Sequence, residues 1–274
     1  MTHHRLVRLV LEGVKYAFLT LFGAIMLTPL LFALYTSLQD PADYLTLVGP
    51  NRLTLANYRF VITHAPIAKW YFNTAFVTAC TILGAVTVNT MAGYALSRIK
   101  FPGRRFIFLV VLAILMVPFQ AYLIPLYLIV ARLGWLNSYQ ALIVPFIFNP
   151  FLVFFMRQSY ETLPQDLEDA AAVDGAGRIT TFLKIAVPLS LTAITTQAVL
   201  SGTWTWNAFM VPVTMTTDRD YYVLTVGLNS LQSQYYTLPT VQMAGVVLLT
   251  IPVIFMFVAF QRFIVPSLAT TGLR

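Results

Sequence analysis

Long uncharged apolar stretches constrain this chain more than any other feature. The segments Tyr16 to Gln39 and Trp70 to Ser97 contain no Asp, Glu, Lys, Arg or His. Each is longer than the roughly 20 apolar residues that an α-helix needs to cross a bilayer. Hydrophobic residues make up 58% of the chain and charged residues only 10%, with a mean hydropathy of +0.76. This leaves little room for a soluble domain, so the sequence predicts an all-α, polytopic membrane protein.

Apolar stretches alternate with charged or proline-containing loops along the chain, which predicts six transmembrane helices in a single domain over residues 1–274. The first stretch is too long for the apolar region of a signal peptide, so we expect an uncleaved span. Pro118 and Pro125 interrupt the third span, and the carbonyls that they free need partners from neighbouring helices or water. The expected spans are about residues 16–39, 71–97, 106–131, 138–156, 189–211 and 240–260.

Basic residues are distributed unevenly over the predicted loops, with twelve on one side and five on the other. Because cytoplasmic loops of membrane proteins carry an excess of Lys and Arg, the richer side is predicted to be cytoplasmic, with both termini inside. This distribution explains the net charge of +7 without nucleic acid. The inner set is Arg5, Arg8, Lys15, Arg98, Lys100, Arg104, Arg105, Arg157, Arg178, Lys184, Arg262 and Arg274, and the outer set is Arg52, Arg59, Lys69, Arg132 and Arg219.

One charged, helix-prone segment, Leu163 to Leu189, lies between the apolar stretches. Proline suits a first helical turn, so a short helix is expected over Pro164–Val173, with its acidic residues near the positive end of the helix dipole. Gly175 is placed to leave this helix by a left-handed turn, and a second helix is expected over Arg178–Ala186. The segment therefore predicts a helix-turn-helix on the cytoplasmic side. An ordinary amphipathic loop helix is the alternative interpretation.

The same segment resembles the EAA motif of permease subunits of ABC importers, which is EAA, three residues, G, nine residues and I-x-L-P. Asp169, Ala170 and Ala171 are followed by Gly175 at the motif's spacing, and Ile185 and Pro188 stand at its end. Two departures are visible: Asp169 replaces the usual Glu, and Val187 replaces Leu. The resemblance implies contact with an ATPase through Glu168, Asp169, Ala170, Ala171, Asp174, Gly175, Ile185 and Pro188.

Further segments are similar to the carbohydrate-uptake, maltose-type branch of these permeases, specifically its smaller six-span subunit. They are Asn57-Tyr58, the run Tyr94 to Arg98 with Phe101 and Gly103, the run Met116 to Gln120, and Trp204 to Pro212. The resemblance implies a second, longer permease subunit, a dimer of cytoplasmic ATPases that bind Mg-ATP, and an extracytoplasmic solute-binding protein. It implies that this chain itself is no enzyme, binds no cofactor, and lies in the cell membrane of a prokaryote.

Polar and amphipathic groups at lipid depth favour the protein interior or a wet cavity. On this ground we expect a translocation path for a sugar beside Asn89, Tyr122, Asn149, Trp204, Asn207 and Gln242. The alternative is that these groups only bridge helices. The outer loop Thr214 to Pro239 carries Asp218, Arg219, Asp220 and four tyrosines, which suit an interface with the solute-binding protein or a plain interfacial belt.

Several functions are disfavoured by what the sequence lacks. The predicted helix cores contain no ionisable side chain of the kind that ion-coupled carriers and proton relays need, although a secondary carrier or channel stays open. No phosphate-binding loop of the G-x-x-x-x-G-K-[ST] type is present, so nucleotide binding by that device is excluded. His3, His4 and His64 are scattered, which predicts no metal site. A permease of the same architecture for a non-sugar solute such as glycerol phosphate is the main alternative.

Overall fold

A computed structural model describes residues 2–234 and 238–269, and the side chains within 11–231 and 238–259. The described residues are mostly α-helical and contain no β-strand. Tyr235, Tyr236 and Arg274 of the predicted topology lie outside the described residues, as do the side chains of Arg5, Arg8 and Arg262.

The described structure is a succession of α-helices, in keeping with the predicted fold class. They are α1 (Thr2–Ser37), α2 (Ala56–His64), α3 (Ile67–Arg98), α4 (Arg104–Leu115), α5 (Phe119–Arg132), α6 (Tyr139–Ile147), α7 (Pro150–Glu161), α8 (Asp166–Val173), α9 (Arg178–Thr181), α10 (Val187–Leu189), α11 (Leu191–Trp206), α12 (Met210–Met215), α13 (Leu224–Gln234) and α14 (Pro239–Ala269). A π-helical turn, Phe182–Ala186, joins α9 to α10.

Four helical stretches among the described residues are long and apolar enough to cross a membrane: Leu11–Ser37, Ile67–Arg98, Tyr139–Glu161 and Pro239–Ala259. Two bent pairs would bring the number to six if each is one span. The first pair is α4 and α5, bent by 103°, and the second joins Arg178–Leu189 to α11 with a bend of 77°. The number six therefore depends on counting each bent pair as one broken span.

One compact unit of the structure comprises the described part of residues 1–66 and 228–251. Its loop after α1 is held by Asn57, which is 3% exposed and donates to the carbonyls of Ser37 (2.8 Å) and Gln39 (2.7 Å). The hydroxyls of Tyr58 and Ser37 lie 2.6 Å apart. Asn57 and Tyr58 thus satisfy groups at the end of α1, because the last carbonyls of a helix have no partner within it.

The other unit comprises residues 67–227 and the described part of 252–274, and α3 is its central helix. α3 packs most extensively against α7, then α11 and α6. Gly93 allows α3 and α7 to approach closely, since a Cβ there would lie 2.6 Å from the Cβ of Met156 on α7. Small residues at helix contacts let backbones approach in this way.

Two fully buried amides connect α3 to its neighbours. Asn89 donates to the carbonyl of Ile147 at 3.0 Å and accepts from the backbone N–H of Asn149 at 2.9 Å, across the short break between α6 and α7. Gln197 of α11 donates to the hydroxyl of Thr90 at 3.2 Å. These bonds satisfy polar groups that lipid could not, and they fix the positions of α7 and α11 along α3.

Candidate functional site

A cavity of about 600 Å³ opens in the unit built around α3. Thr74, Val77 and Thr81 of α3 form one wall, and residues of α5, α6, α11 and α12 form the others. The lining is mainly apolar and aromatic, with hydroxyl and amide groups between. No charged side chain is among its lining residues. This composition is typical of sites for neutral small molecules.

Four of the six residues predicted for the translocation path line this cavity: Tyr122, Asn149, Trp204 and Asn207. Tyr122 and Trp204 are 41% and 45% exposed. Asn149 accepts from the backbone N–H groups of Phe151 and Leu152 and so caps α7. Its amide nitrogen has no hydrogen bond to any described residue, which leaves a donor at the cavity wall.

The remaining two residues of that prediction lie elsewhere. Asn89 is completely buried and its side chain is occupied by the hydrogen bonds between helices given above. Gln242 lies on α14 in the unit that contains α1, and it is not among the cavity's lining residues. The structure therefore supports a bridging role for Asn89, which the sequence left as an alternative.

The charged segment folds as the predicted helix-turn-helix, with a later start. α8 begins at Asp166, two residues after the expected Pro164. Gly175 has a φ of +80°, and the N–H groups of Gly175 and Ala176 bond to the carbonyls of Ala172 and Ala171. This pair of bonds is a Schellman motif, which ends a helix through a left-handed residue. The predicted turn at Gly175 is confirmed.

An exposed surface follows from this arrangement. Asp169, Ala170 and Asp174 are exposed, whereas Ala171 is only 9% exposed and faces inward. Val173 and Ile179 are 88% and 75% exposed, although both are apolar. Neither aspartate is in an ion pair with a described residue. The surface thus combines free carboxylates with uncovered apolar side chains, as a protein interface does.

Glu168 does not belong to this exposed surface. One of its carboxylate oxygens lies 3.2 Å from Nε of Arg98, and the other accepts from the hydroxyl of Tyr94 at 3.1 Å. The Arg98 and Glu168 side chains are 11% and 15% exposed. The Nε–Oε1 contact is an ion pair without a hydrogen bond, since neither atom has a hydrogen-bond partner among the described residues. The other end of the guanidinium donates to the carbonyls of Tyr160 and Leu163.

The end of the charged segment is not a continuous helix. Phe182–Ala186 forms a π-helical turn, with Ile185 half-buried and Ala186 buried. The ring of Phe182 lies 4.9 Å from that of Tyr94, so this turn also packs against α3. Pro188 is exposed in α10. π-helical turns are frequent at functional sites.

The predicted outer cluster is fastened to α3 and to the start of α6. Asn73 donates to the carbonyls of Asp220 and Tyr222, both at 2.8 Å, and Tyr139 donates to Asn73 at 2.7 Å. Lys69 and Asp220 form an exposed ion pair at 2.6 Å. Asp218 caps the short turn Arg219–Tyr221. Arg219 is exposed and in no ion pair with the described residues, so its charge is accessible.

Three residues of these sites were missed from the sequence: Asn73, Asn137 and Arg98 in its contact with Glu168. Asn137, with a φ of +55°, accepts from the backbone N–H groups of Thr217 and Asp218. Each contact joins residues that are distant in sequence, and no local pattern indicates the partner. A lone asparagine in an apolar stretch was the one available signal for Asn73. No group of three or more potential metal ligands occurs among the described residues.

Comparison with known proteins gives consistent matches. Residues 89–270 match the family described as binding-protein-dependent transport system inner membrane component. The arabinooligosaccharides transport system permease protein AraQ of Halalkalibacterium halodurans is 33% identical over 264 residues, covering 95% of each chain. The trehalose/maltose transport system permease protein MalG of Thermococcus litoralis is 32% identical over 273 residues, with 97% of this chain and 96% of that protein covered.

A solved structure matches in fold. It is the crystal structure of a bacterial ABC transporter involved in the import of the acidic polysaccharide alginate, and one of its chains superposes with a TM-score of 0.80 at 24% identity. The match covers 92% of this chain and 96% of that chain.

Proposed function

The chain belongs to the family of binding-protein-dependent transport system inner membrane components, and on this premise we propose that it is the permease subunit of an ATP-driven sugar importer. It forms half of the translocation pathway, and a second, longer permease subunit supplies the rest. A dimer of cytoplasmic ATPases binds and hydrolyses Mg-ATP, and an extracytoplasmic solute-binding protein delivers the sugar. Both termini lie in the cytoplasm.

The cavity beside α3 carries this proposal. Its donors and acceptors are the hydroxyl of Tyr122, the indole of Trp204 and the amides of Asn149 and Asn207, set among aromatic and apolar side chains. Sugars present hydroxyl groups at their edges and C–H faces between them, so such a lining matches them. Relatives named for arabinooligosaccharides, trehalose and maltose, and lactose support the sugar class.

The alternative solute, a phosphate ester, finds little support in this half of the pathway. A phosphate group is recognised in proteins by Arg, Lys or several aligned N–H donors. The cavity lining contains neither Arg nor Lys. A neutral solute is therefore the better match for the cavity that this chain forms.

We place the contact with the ATPase on the exposed surface of α8 and its turn. Asp169, Ala170 and Asp174 are the residues of the resemblance that are exposed there, and Val173 adds an apolar contact. Ala171, Ile185 and Pro188 hold or continue this turn. On the opposite side of the membrane, Asp218, Arg219 and Asp220 contact the solute-binding protein, with Arg219 as the accessible charge.

Replacing Tyr122 with Phe tests the pathway. This change removes one hydroxyl from the cavity, so we expect the apparent KM for uptake to rise about two- to tenfold, the range for one lost hydrogen bond. The measurement is uptake of labelled maltose, trehalose, lactose and arabinooligosaccharides by proteoliposomes of the importer purified through this chain. Tyr127→Phe is the matched control, because Tyr127 is also on α5 and also partly exposed but does not line the cavity.

The outcomes separate the pathway from the broader function. Equal KM values for the two variants and the wild type would remove Tyr122 from the path. An importer that takes up none of these sugars but transports glycerol phosphate would overturn the sugar class. A chain that purifies without an ATPase and transports solute without ATP would be a carrier instead.

A further inference from the structure

The exposed helix α8 is attached to α3 by three side chains. Glu168 on α8 contacts Arg98 at 3.2 Å and Tyr94 at 3.1 Å, and both of these residues lie in the last part of α3. Arg98 and Glu168 are largely buried, so water and salt screen their attraction less than they would at the surface. A movement of α8 therefore acts first on this end of α3.

α3 leads from this attachment to the cavity without interruption. It is a single helix of 32 residues, which makes it about 48 Å long. Thr74, Val77 and Thr81, which line the cavity, and Tyr94 and Arg98, which hold α8, all belong to it. Asn89 and Gln197 bond α3 to the α6–α7 connection and to α11 between these two points.

The route along the chain from α8 to the cavity is less rigid. It passes through the π-helical turn Phe182–Ala186 and then a bend of 77° before α11. Such a connection absorbs movement by bending.

We propose that Arg98, Tyr94 and Glu168 form a clamp through which α8 moves α3, and with it one wall of the cavity. The three are positioning residues: they contact neither the ATPase nor the solute. Arg98 also donates to the carbonyls of Tyr160 and Leu163, so the clamp holds the segment between α7 and α8 as well. This inference rests on the proposed function, since it requires an ATPase seated on the exposed surface of α8.

The test uses variants that weaken the contacts of the clamp but change the size of its side chains little. Glu168→Gln keeps an acceptor for Tyr94 but removes the charge, and Arg98→Lys keeps the charge but loses the forked donors. In proteoliposomes of the importer, each variant is expected to lower the sugar taken up per ATP hydrolysed by about fivefold or more, the lower end for coupling between sites. The double variant should be no worse than Arg98→Lys alone, because the contact between Arg98 and Glu168 is already weakened in that single variant.

A second readout distinguishes a clamp from an ATPase contact. Both clamp variants are expected to co-purify the ATPase at the wild-type ratio, whereas Asp169→Asn, on the exposed surface, is expected to reduce it. Glu161→Gln is the matched control: it removes one carboxylate charge and breaks the ion pair of Glu161 with Arg157 within α7, in which neither Arg98 nor Glu168 takes part. This control should keep both the wild-type ATPase ratio and the wild-type uptake per ATP.

Three results would contradict the clamp, the role of Glu168 in it, or the proposed function. Wild-type uptake per ATP in both clamp variants would remove the clamp and leave the proposed function intact. Loss of the ATPase by Glu168→Gln to the extent seen with Asp169→Asn would place Glu168 in the ATPase contact. A wild-type chain that co-purifies no ATPase would overturn the proposed function, and the clamp with it.

Discussion

Gly175 decides how α8 is presented to a partner. Its φ of +80° is a conformation that side chains with a Cβ resist, and the Schellman bonds of the turn depend on it. No atom lies within 4 Å of the position that a Cβ would take. A larger residue would therefore be opposed by backbone strain and not by a clash.

Gly175→Ala isolates this strain. We expect a cost of about 1–2 kcal/mol in the native turn, from the left-handed conformation of an L-residue. This should reduce sugar-stimulated ATP hydrolysis by roughly 5–30-fold if the turn must form for the ATPase to engage.

Gly177→Ala is the matched control for this change. Gly177 is also exposed and in open space, but its φ of −71° and ψ of 161° suit any residue. We expect hydrolysis within about twofold of wild type, since surface changes of this kind cost within about 0.5 kcal/mol. Equal effects of the two substitutions would show that conformation at position 175 is not what matters.

Prediction from sequence succeeded for single residues where chemistry is local. The turn at Gly175 followed from the conformational freedom of glycine and the helical pattern before it. The resemblance to the EAA motif implied that Glu168 and Asp169 both contact the ATPase. Arg98, the partner of Glu168, lies 70 positions earlier, and only the packing of α8 onto α3 brings the two together. The contact of Glu168 with the ATPase, which the resemblance implied, is untested. The proposed clamp assigns this carboxylate to Arg98 and Tyr94 instead.

Among the helices, α3 and α7 pack too closely at Gly93 to admit a side chain. A Cβ on Gly93 would lie 2.6 Å from Cβ of Met156 and 2.9 Å from the backbone nitrogen of Arg157. Neither atom is at the end of a flexible side chain. The two helices would have to separate.

Gly93→Ala should therefore destabilise the protein by about 1–3 kcal/mol, the usual cost of adding a methyl group to a tight contact. The measurement is the midpoint of thermal unfolding in lipid nanodiscs. Gly23→Ala on α1 is the control, because nothing lies within 4 Å of its Cβ position, and its midpoint should stay the same or rise. A midpoint for Gly93→Ala at or above the wild-type value would contradict the close packing of α3 on α7.

Helix existence was easier to predict than helix shape. Pro118 and Pro125 were expected to interrupt the third span. α4 does end just before Pro118, whereas Pro125 lies inside α5 without breaking it. The bend of 103° was not predicted, because proline removes a hydrogen bond but does not set the direction in which the chain continues. The π-helical turn at Phe182–Ala186 likewise has no local sequence signal.

At the scale of the whole molecule, the charge distribution predicts how the chain is oriented in the membrane, and this can be tested. Residues predicted to be cytoplasmic carry twelve of the 17 basic side chains. Gly177 and Asp218 are both exposed, and they belong to loops predicted on opposite sides. In a Cys80→Ser background, an impermeant maleimide added to intact cells should label Asp218→Cys and not Gly177→Cys. Membrane vesicles of inverted orientation provide the control, in which the labelling should reverse; labelling of Gly177→Cys in intact cells would contradict the predicted topology.

The break between α4 and α5 leaves backbone groups that need hydrogen-bond partners from outside the two helices. At the corner, the carbonyls of Ala113 and Ile114 accept from the backbone N–H groups of Met116 and Val117, and Met116 is 86% exposed. The other groups at these two helix ends have no partner within their own helix. Hydrocarbon cannot solvate such groups, so unpaired backbone at membrane depth is tolerated only beside water or another protein. If this pair crosses the membrane, its corner cannot face lipid. Phe119 and Tyr122, just after the corner, line the cavity. A neighbouring subunit or a column of water must therefore cover the backbone groups at this corner.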